Sequence, residues 1–281
     1  MLYKKLFLRE KFMILSANQI NDFNDRGYIV FDTLIPDEIL ENTKSEFLKY
    51  WVDGVKPDNV VYADENRIQD AWKINDNVKA IATFPRVIEA LKQIYQKQPL
   101  PFQTLNFYKG TEQAAHVDYI HFNSEPFGLM CGVWVALEDI GADQGPLVYY
   151  PHSNKLPEIN FEEAGLAPDY QYYGPYLKYV MNEAAKMGLK EEYGLLKKGQ
   201  ALIWASNLIH GGSPQNNKAL SRHSQVTHYF FEGTRAWRPG LSKDGRRYFD
   251  PEWIPLSTTE PEQPQAVKKS FFTNLKNWFG K

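Results

Sequence analysis

The sequence has few of the features that mark secreted, membrane-spanning or nucleic-acid-binding chains. Its 281 residues include one cysteine, Cys131, so an intrachain disulfide is excluded and nothing indicates an oxidising compartment. The formal net charge of -2 argues against a basic nucleic-acid footprint. No stretch has the roughly 20 apolar residues of a membrane span or the unbroken run of about 7–15 of a signal peptide. We therefore expect a cytoplasmic protein with no transmembrane segment and no nucleic-acid partner.

The chain changes from a helical to a β-type pattern near Pro99. Hydrophobic residues make up 43% of the sequence and aromatic residues 15%, which is enough for a large core. Before Pro99, capping and breaker residues predict helices over 16–26, 37–51 and 75–96, the last interrupted by Pro85. After it, short β-type runs separated by turn residues lie at 102–109, 129–137, 146–150, 200–206 and 221–232. We predict a mainly β fold with flanking helices and one helical insertion at about 175–187.

These patterns predict a single domain over residues 16–233, with its β core at about 101–232. Residues 234–281 follow as a basic extension, a Pro-rich linker and a C-terminal amphipathic segment. From residue 267 onward, lysines and large apolar residues alternate so that a helix would have one apolar and one basic face. We expect such a helix to dock on the protein's own surface or on a partner subunit, with peripheral contact to an anionic membrane as the alternative. The oligomeric state is left open.

The most informative pattern is His116-Val117-Asp118, taken together with His210. Residues i and i+2 of an extended segment point to the same side, so one imidazole and one carboxylate meet at one point. By itself this spacing is a weak signal, because an isolated histidine is more often a structural residue than a metal ligand. However, His116 and His210 each follow a predicted strand, and all six histidines lie between residues 116 and 228. Two histidines and one carboxylate are the ligand set that suits non-haem Fe(II) oxygenases.

A cation and a hydroxyl follow the second histidine on the next predicted strand. Arg222 and Ser224 share one face of that strand because their spacing is two. A guanidinium and a hydroxyl so placed can bind one carboxylate, the guanidinium through two parallel hydrogen bonds. Beside a metal-ligand set, Arg222 indicates an acidic co-substrate held next to the metal rather than a surface ion pair. The basic and aromatic residues of 235–248 are either a solvated loop or a segment that closes over an anionic substrate.

Together these segments resemble a known family, the phytanoyl-CoA dioxygenase-like Fe(II)/2-oxoglutarate oxygenases. The resemblance rests on His-Val-Asp at 116–118, Val-Trp-Val-Ala-Leu-Glu-Asp at 133–139, Gly-Pro-Leu-Val-Tyr-Tyr-Pro at 145–151, His-Gly-Gly-Ser at 210–213, and Arg222. These segments occur in the family's order and near its spacing, so the resemblance extends over roughly 20–232. It implies a double-stranded β-helix (jelly-roll or cupin-like) core with the helical N-terminal part packed on it.

The resemblance also implies roles for individual residues at the catalytic centre. By it, His116, Asp118 and His210 are the catalytic ligands of Fe(II). Arg222, together with Ser224, holds the distal carboxylate of 2-oxoglutarate. The implied reaction uses O2 as the second co-substrate and hydroxylates a C–H bond of a small-molecule substrate with release of succinate and CO2. Desaturation or epimerisation would use the same ligands, whereas related halogenases have a small residue in place of Asp118.

Three further residues are assigned to the co-substrate pocket by the resemblance, and one loop departs from the family pattern. Trp134 matches a tryptophan that lines the pocket, and Asn106 matches a polar strand residue near the other end of 2-oxoglutarate. Thr104 shares the face of Asn106 and is included with it. In the loop after residue 151 the family usually has Gly-Ser-His, whereas this chain has His152, Ser and Asn154. A non-glycine residue in that tight turn carries a conformational cost unless its backbone adopts an allowed region.

Two alternatives to the dioxygenase remain at this point. A cupin-like metal enzyme that does not use 2-oxoglutarate would explain the three ligands but not Arg222. A non-catalytic ligand-binding member of the fold is the second alternative, and the intact ligand set argues against it. The substrate is left open, because the family includes acyl-CoA, amino-acid-like and natural-product substrates.

Overall fold

The structure is a computed structural model that describes residues 13–53, 56–60, 62–63 and 66–256. The predicted Pro-rich linker and C-terminal amphipathic segment lie outside the described residues, as do residues 1–12. No helix of the described part is long and apolar enough to cross a membrane.

The helices begin and end within two residues of the bounds that the sequence signals predict. They are α1 (Ala17–Arg26), α2 (Asp37–Val52), α3 (Asp76–Ala82), α4 (Pro85–Tyr95) and the inserted α5 (Tyr173–Lys186). Ser16 and Gln19 form a capping box before α1, and Gly27 ends that helix with a φ of +84°. Pro85 divides the predicted third helix into α3 and α4, because a proline lacks the N–H that a continuous helix requires. The helical predictions are therefore confirmed.

The strands form antiparallel sheets in three groups within the described residues. They are β1 (Tyr28–Asp32), β2 (Tyr62–Ala63), β3 (Arg67–Gln69), β4 (Pro99–Phe107), β5 (Asn123–Glu125), β6 (Met130–Ala136), β7 (Leu147–Tyr149), β8 (Glu192–Tyr193), β9 (Gln200–Ala205), β10 (His210–Gly212), β11 (Ser224–Phe231) and β12 (Arg235–Trp237). The large sheet has the order β1-β9-β6-β11-β4-β3-β2, the small sheet has the order β10-β7-β8, and β12 pairs with β5. Strands β2, β3, β5, β8 and β12 are too short to leave a periodic signal in the sequence.

The inner face of the large sheet packs against the small sheet. Trp134 and Leu202 from the large sheet form one buried cluster with Leu147 and Tyr149 of β7. Alternate residues point to the opposite face, so Ile203, next to Leu202, packs among the residues of α1 and α4 instead. Two sheets closed around a common interior, with helices on the outside, are the predicted double-stranded β-helix, and this prediction is confirmed.

Helix α5 covers the end of the interior where the two histidine segments meet. Its buried side chains Tyr176 and Val180 pack against Val117 and Ile209, the neighbours of the candidate ligands in sequence. The inserted helix therefore holds both segments in place from the outside.

Candidate metal centre and its cavity

Backbone hydrogen bonds join the two histidine segments. The N–H of His116 donates to the carbonyl of His210 at 2.8 Å, and the N–H of His210 donates back to the carbonyl of His116 at 2.9 Å. Across this antiparallel bridge the two imidazole centroids lie 4.6 Å apart. Asp118 begins a short 3-10 turn, and its N–H donates to the carbonyl of Ser206 at 3.0 Å. Main-chain pairing thus brings together segments that are distant in sequence.

A glycine allows this pairing. A Cβ placed on Gly211, in β10, would lie 2.6 Å from the carbonyl oxygen of Gln113 in the loop that leads to His116. Any larger residue would push that loop away from β10. Gly211 therefore allows the backbone of β10 to approach the loop before His116 closely.

The imidazoles are oriented so that their Nε2 atoms face the carboxylate. In both rings Nδ1 lies next to a carbonyl oxygen two residues earlier, that of Ala114 at 2.9 Å for His116 and that of Leu208 at 3.0 Å for His210. A carbonyl only accepts, so Nδ1 carries the proton and Nε2 keeps its lone pair for a metal. Both Nε2 atoms lie 3.6 Å from Oδ1 of Asp118. The three ligand atoms lie within 4.8 Å of one another.

The second oxygen of Asp118 is held by side chains of the large sheet. The indole N–H of Trp204 donates to Oδ2 at 2.7 Å, and Nε2 of His228 lies 3.6 Å from the same oxygen. The indole fits there because residue 132 on the neighbouring strand is a glycine, where a Cβ would lie 2.2 Å from Cζ2 of Trp204. Oδ1 is therefore left to the metal position while Oδ2 is fixed by the protein.

The protonation states suit metal binding. Burial opposes the ionisation of Asp118, which is 4% exposed, but the surrounding imidazoles outweigh it and hold the pKa of its carboxyl well below the usual range. Burial lowers the pKa of His210 to about 4, so its imidazole is neutral at pH 7. An anionic carboxylate and a neutral imidazole are the forms that bind a divalent metal.

Arg222 lies in the same cavity, directly before β11. Its guanidinium is stacked between the rings of Phe107 and Trp134, 5.5 Å from each centroid. Nη1 donates to the carbonyl of Gly145 at 3.1 Å and Nη2 to that of Lys109 at 3.4 Å, while Nε has no hydrogen-bond partner in the part of the chain that the structure describes. The residue is 3% exposed, and burial lowers its pKa to about 10.

No carboxylate of the described residues forms an ion pair with Arg222. A buried guanidinium without an anionic partner is costly unless a ligand supplies that partner. The charge of Arg222 therefore points to an acidic ligand inside the cavity, as the sequence predicts.

The cavity has a volume of about 400 Å³ and brings together most of the predicted residues. His116, Asp118, His210, Arg222 and Trp134 all line it. Ser224 lies on the same face of β11 as the lining residue Val226 and is fully buried, but its hydroxyl donates to the carbonyl of Arg222 at 3.3 Å.

The expectation for Asn106 and Thr104 has to be corrected. The residues of β4 that line the cavity are Gln103, Leu105 and Phe107, so the two predicted residues point to the opposite face. There the amide of Asn106 donates to Oε1 of Gln225 at 3.1 Å, and the backbone of Thr104 accepts and donates hydrogen bonds with Asp70. Strand alternation therefore excludes both side chains from contact with a ligand in the cavity.

The remaining histidines divide between the cavity and the packed exterior. His121 lines the cavity, and its ring nitrogens lie 3.3 Å from the hydroxyl of Tyr170 and 3.0 Å from that of Tyr173. His223 packs between aromatic rings outside the cavity. His152, where the family has glycine, adopts a left-handed φ of +68° at the start of a 3-10 turn, which keeps the turn that glycine would make.

Trp204 and Arg238 are among the residues of the cavity that the sequence predictions did not assign to the site. Trp204 carried no signal, because a large aromatic residue on an inward strand position is usually a packing residue. Arg238 was noted only as part of a basic segment, although it lines the cavity. A third residue, His228, shares strand parity with Arg222, and this parity correctly predicts that it faces inward.

Comparison with known proteins assigns the family. A family model described as phytanoyl-CoA dioxygenase (PhyH) matches residues 23–224. The chain belongs to the phytanoyl-CoA dioxygenase family. A relative from this family, phytanoyl-CoA dioxygenase domain-containing protein 1 of Mus musculus, is 24% identical over 197 residues, which cover 62% of this chain and 60% of that protein. The chain thus spans about three fifths of the length of this relative.

Solved structures share the fold at low sequence identity. The non-haem alpha-ketoglutarate-dependent carbocyclase SnoK from nogalamycin biosynthesis has a TM-score of 0.65 and 12% identity, covering 85% of this chain and 95% of that one. EctD from S. alaskensis, solved with 2-oxoglutarate and 5-hydroxyectoine, has a TM-score of 0.63 and 17% identity, covering 87% of this chain and 88% of that one. EctD has also been solved with bound Fe. This protein and these enzymes therefore share the double-stranded β-helix fold.

Proposed function

We propose that this protein is a non-haem Fe(II)/2-oxoglutarate-dependent dioxygenase that hydroxylates a C–H bond of a small-molecule substrate. One observation carries the proposal. A set of two histidines and one carboxylate shares a cavity with a buried guanidinium that has no carboxylate partner among the described residues. A structural metal site would need no such guanidinium, and a packed core would not bury it unpaired.

The donor set fits Fe(II). His116 and His210 offer neutral Nε2 atoms and Asp118 offers Oδ1, which is the combination preferred by non-haem iron with open positions for other ligands. When bound there, Fe(II) with 2-oxoglutarate and O2 would supply the oxidation, in which 2-oxoglutarate becomes succinate and CO2 and the substrate gains one oxygen atom. The protein's own residues hold these partners and exclude water.

Arg222 fits the far carboxylate of 2-oxoglutarate. Its position between the rings of Phe107 and Trp134 removes it from water, which strengthens its interaction with an anion. Its unpartnered Nε supplies a further donor for a carboxylate oxygen. We include Ser224 as a residue that supports the backbone of Arg222, and we assign no contact with 2-oxoglutarate to Asn106 or Thr104. The family match at 23–224 supports treating residues 16–233 as the catalytic domain.

Other members of the fold support the same class of reaction. The solved neighbours are described as a carbocyclase that depends on alpha-ketoglutarate and as an enzyme crystallised with 2-oxoglutarate and a hydroxylated compound. Asp118 stands where related halogenases have a small residue, which argues against halogenation. Among the oxidations that use this ligand set we propose hydroxylation, the reaction that matches the hydroxylated compound bound to EctD.

The experiment measures succinate formed from 2-oxoglutarate by protein reconstituted anaerobically with Fe(II) and then exposed to O2. We expect succinate only when Fe(II), 2-oxoglutarate and O2 are all present. Asp118→Ala should lower the rate by about 100-fold or more, because the metal loses its only anionic ligand. The matched control is Asp139→Ala, which removes an exposed carboxylate paired with Lys197 on the surface.

Three results would contradict the proposal. Succinate formation that does not depend on Fe(II) would exclude the metal mechanism. Full turnover in Asp118→Ala would exclude the ligand assignment. Metal binding without any conversion of 2-oxoglutarate would favour a cupin-like metal enzyme or a binding protein.

A further inference from the structure

The cavity has a second cationic end on the far side of the metal centre from Arg222. Arg222 precedes β11, whereas His228, whose Nε2 lies 3.6 Å from Oδ2 of Asp118, lies further along that strand. The ring of Phe122 lies 5.5 Å from that of His228, and the guanidinium of Arg238 lies 5.8 Å from Phe122, so Arg238 lines the cavity on the His228 side. If 2-oxoglutarate occupies the end at Arg222, as the proposed function requires, the organic substrate has to lie at the end with Arg238.

The guanidinium of Arg238 lies among aromatic rings and has no acidic partner. It lies 4.2 Å from the centroid of Phe249 and 5.8 Å from that of Phe122. Among the described residues, no carboxylate is within ion-pair distance of it. Two other arginines of the same segment differ in this respect, because Arg235 and Arg246 both pair with Glu125 on the surface.

The backbone that carries Arg238 is fixed rather than loose. Its N–H donates to the carbonyl of Arg247 at 2.9 Å, and its carbonyl accepts from the hydroxyl of Ser242 at 2.6 Å. The next turn packs directly on Tyr170, since a Cβ on Gly240 would lie 2.6 Å from the Tyr170 ring. The backbone at Arg238 is therefore fixed at the cavity wall, and the segment is not a solvated loop at this point.

The charges of the lining indicate which ligand the site accepts. The lining includes Arg67, Arg222 and Arg238, and Asp118, which we assign to the metal, is its one acidic member among the described residues. Arg67 is paired in the sheet with Phe107, whose ring the guanidinium of Arg222 contacts, so it belongs to the end of the cavity at Arg222. With Arg222 assigned to 2-oxoglutarate, the positive charge of Arg238 remains uncompensated. Partial burial lowers the pKa of Arg238, and the nearby charge of Arg247 adds to this effect while Tyr170 opposes it.

We propose that Arg238 anchors a carboxylate of the organic substrate, so that the substrate is a small organic acid whose apolar part lies against Phe122 and Tyr170. This inference rests on the proposed function, which places 2-oxoglutarate at Arg222. A single guanidinium matches the single charge of a carboxylate through two parallel hydrogen bonds, whereas a phosphate monoester carries nearly twice that charge. The volume of about 400 Å³ has to hold both organic molecules, which favours a small acid.

The test uses anaerobic protein loaded with Fe(II) and saturated with 2-oxoglutarate, whose binding is titrated first. Calorimetry then compares two acids with their primary amides, phenylacetate with phenylacetamide and hexanoate with hexanamide, and adds phenyl phosphate. We expect at least one acid to bind about tenfold or more tightly than its amide. Arg238→Gln should remove this preference, and Arg238→Lys should keep part of it because the ammonium retains charge but not the planar fork. Arg246→Gln, a surface ion-pair residue of the same segment, is the matched control and should keep the preference.

The outcomes separate this inference from the proposed function. If the protein does not bind 2-oxoglutarate, the proposed function fails and the inference fails with it. If 2-oxoglutarate binds but neither acid is preferred over its amide, or the preference survives in Arg238→Gln, the inference alone is overturned. Tighter, Arg238-dependent binding of phenyl phosphate than of phenylacetate would overturn the carboxylate assignment. Should Arg238→Gln fail to fold, an acid affinity in Arg238→Lys equal to that of the unchanged protein would also overturn it.

Discussion

Replacing Trp204 by phenylalanine should weaken metal binding although the indole is not a ligand. The change removes the N–H that donates to Oδ2 of Asp118 at 2.7 Å and leaves most of the aromatic packing. Without this donor only His228, at 3.6 Å, remains beside Oδ2, so Oδ1 is held less firmly 3.6 Å from the Nε2 atoms of the two ligand histidines. We therefore expect the substitution to lower the affinity for Fe(II) more than it lowers the stability of the fold.

The magnitude follows from the kind of hydrogen bond that is lost. A hydrogen bond to a charged group contributes about 1.5–3 kcal/mol, and about 1.4 kcal/mol corresponds to a factor of ten in an equilibrium constant. The expected loss of Fe(II) affinity is thus about 10- to 150-fold, which agrees with the roughly 10- to 100-fold effect of removing the hydrogen-bond partners of metal ligands. Gly132→Ala should act in the same direction, because its Cβ would lie 2.2 Å from Cζ2 of Trp204 and displace the indole.

The assay is an anaerobic titration of Fe(II) against a coloured competing chelator, with a melting curve for each variant. Trp51→Phe is the matched control, since that indole N–H has no hydrogen-bond partner in the described part of the chain and lies outside the cavity. It should lose packing but retain Fe(II) affinity. An Fe(II) affinity within twofold of the unchanged protein in a cooperatively folded Trp204→Phe would refute the reasoning, because Asp118 would then keep its orientation without the indole.

Two further predictions concern the co-substrate. Arg222→Ala should weaken 2-oxoglutarate binding by about 30-fold or more, because truncating one partner of a buried charge pair costs about 2–5 kcal/mol. The affinity for Fe(II) should be retained. An unchanged apparent affinity for 2-oxoglutarate in steady-state assays would show that Arg222 does not bind the co-substrate. Asn106→Ala should leave the KM for 2-oxoglutarate within twofold but lower the free energy of unfolding by about 1 kcal/mol, because a buried hydrogen bond to Gln225 is lost. A large rise in that KM, measured beside urea unfolding, would show that the assignment of Asn106 to the outer face is wrong.

Local chemistry explains why the helices could be predicted from the sequence. Ser16 and Gly27 cap one helix, and Pro85 divides another, through interactions that involve only near neighbours. The same holds for the long strands, whose turn residues lie at their ends. Caps, breakers and turn residues act without contacts from distant parts of the chain. The observed ends of these helices and strands therefore lie within a few residues of the predicted ones.

The side of a strand that faces the cavity could not be predicted in the same way. In β11 every residue is buried, and in β4 both faces are covered, one by the interior and one by the helices. A strand buried on both faces has no alternation of polar and apolar residues from which its orientation could be inferred. Asn106 and Thr104 were therefore assigned by resemblance to the inner face, and the register with β11 places them on the outer one.

The separation of charge inside the barrel is the strongest argument that this interior serves chemistry rather than stability. Asp118 and Arg222 are both almost fully buried and line one cavity, yet they do not form an ion pair with each other. A core selected for stability would pair them or replace both by apolar residues, because an uncompensated buried charge is costly. Here the carboxylate is instead directed at two imidazoles by an indole, and the guanidinium is held between two aromatic rings. Each charge needs a partner of opposite sign from outside the chain. Asp118 needs a metal cation, and Arg222 needs an anion. Among the described residues, this unfavourable burial of charge occurs where a metal and an acid can be held side by side.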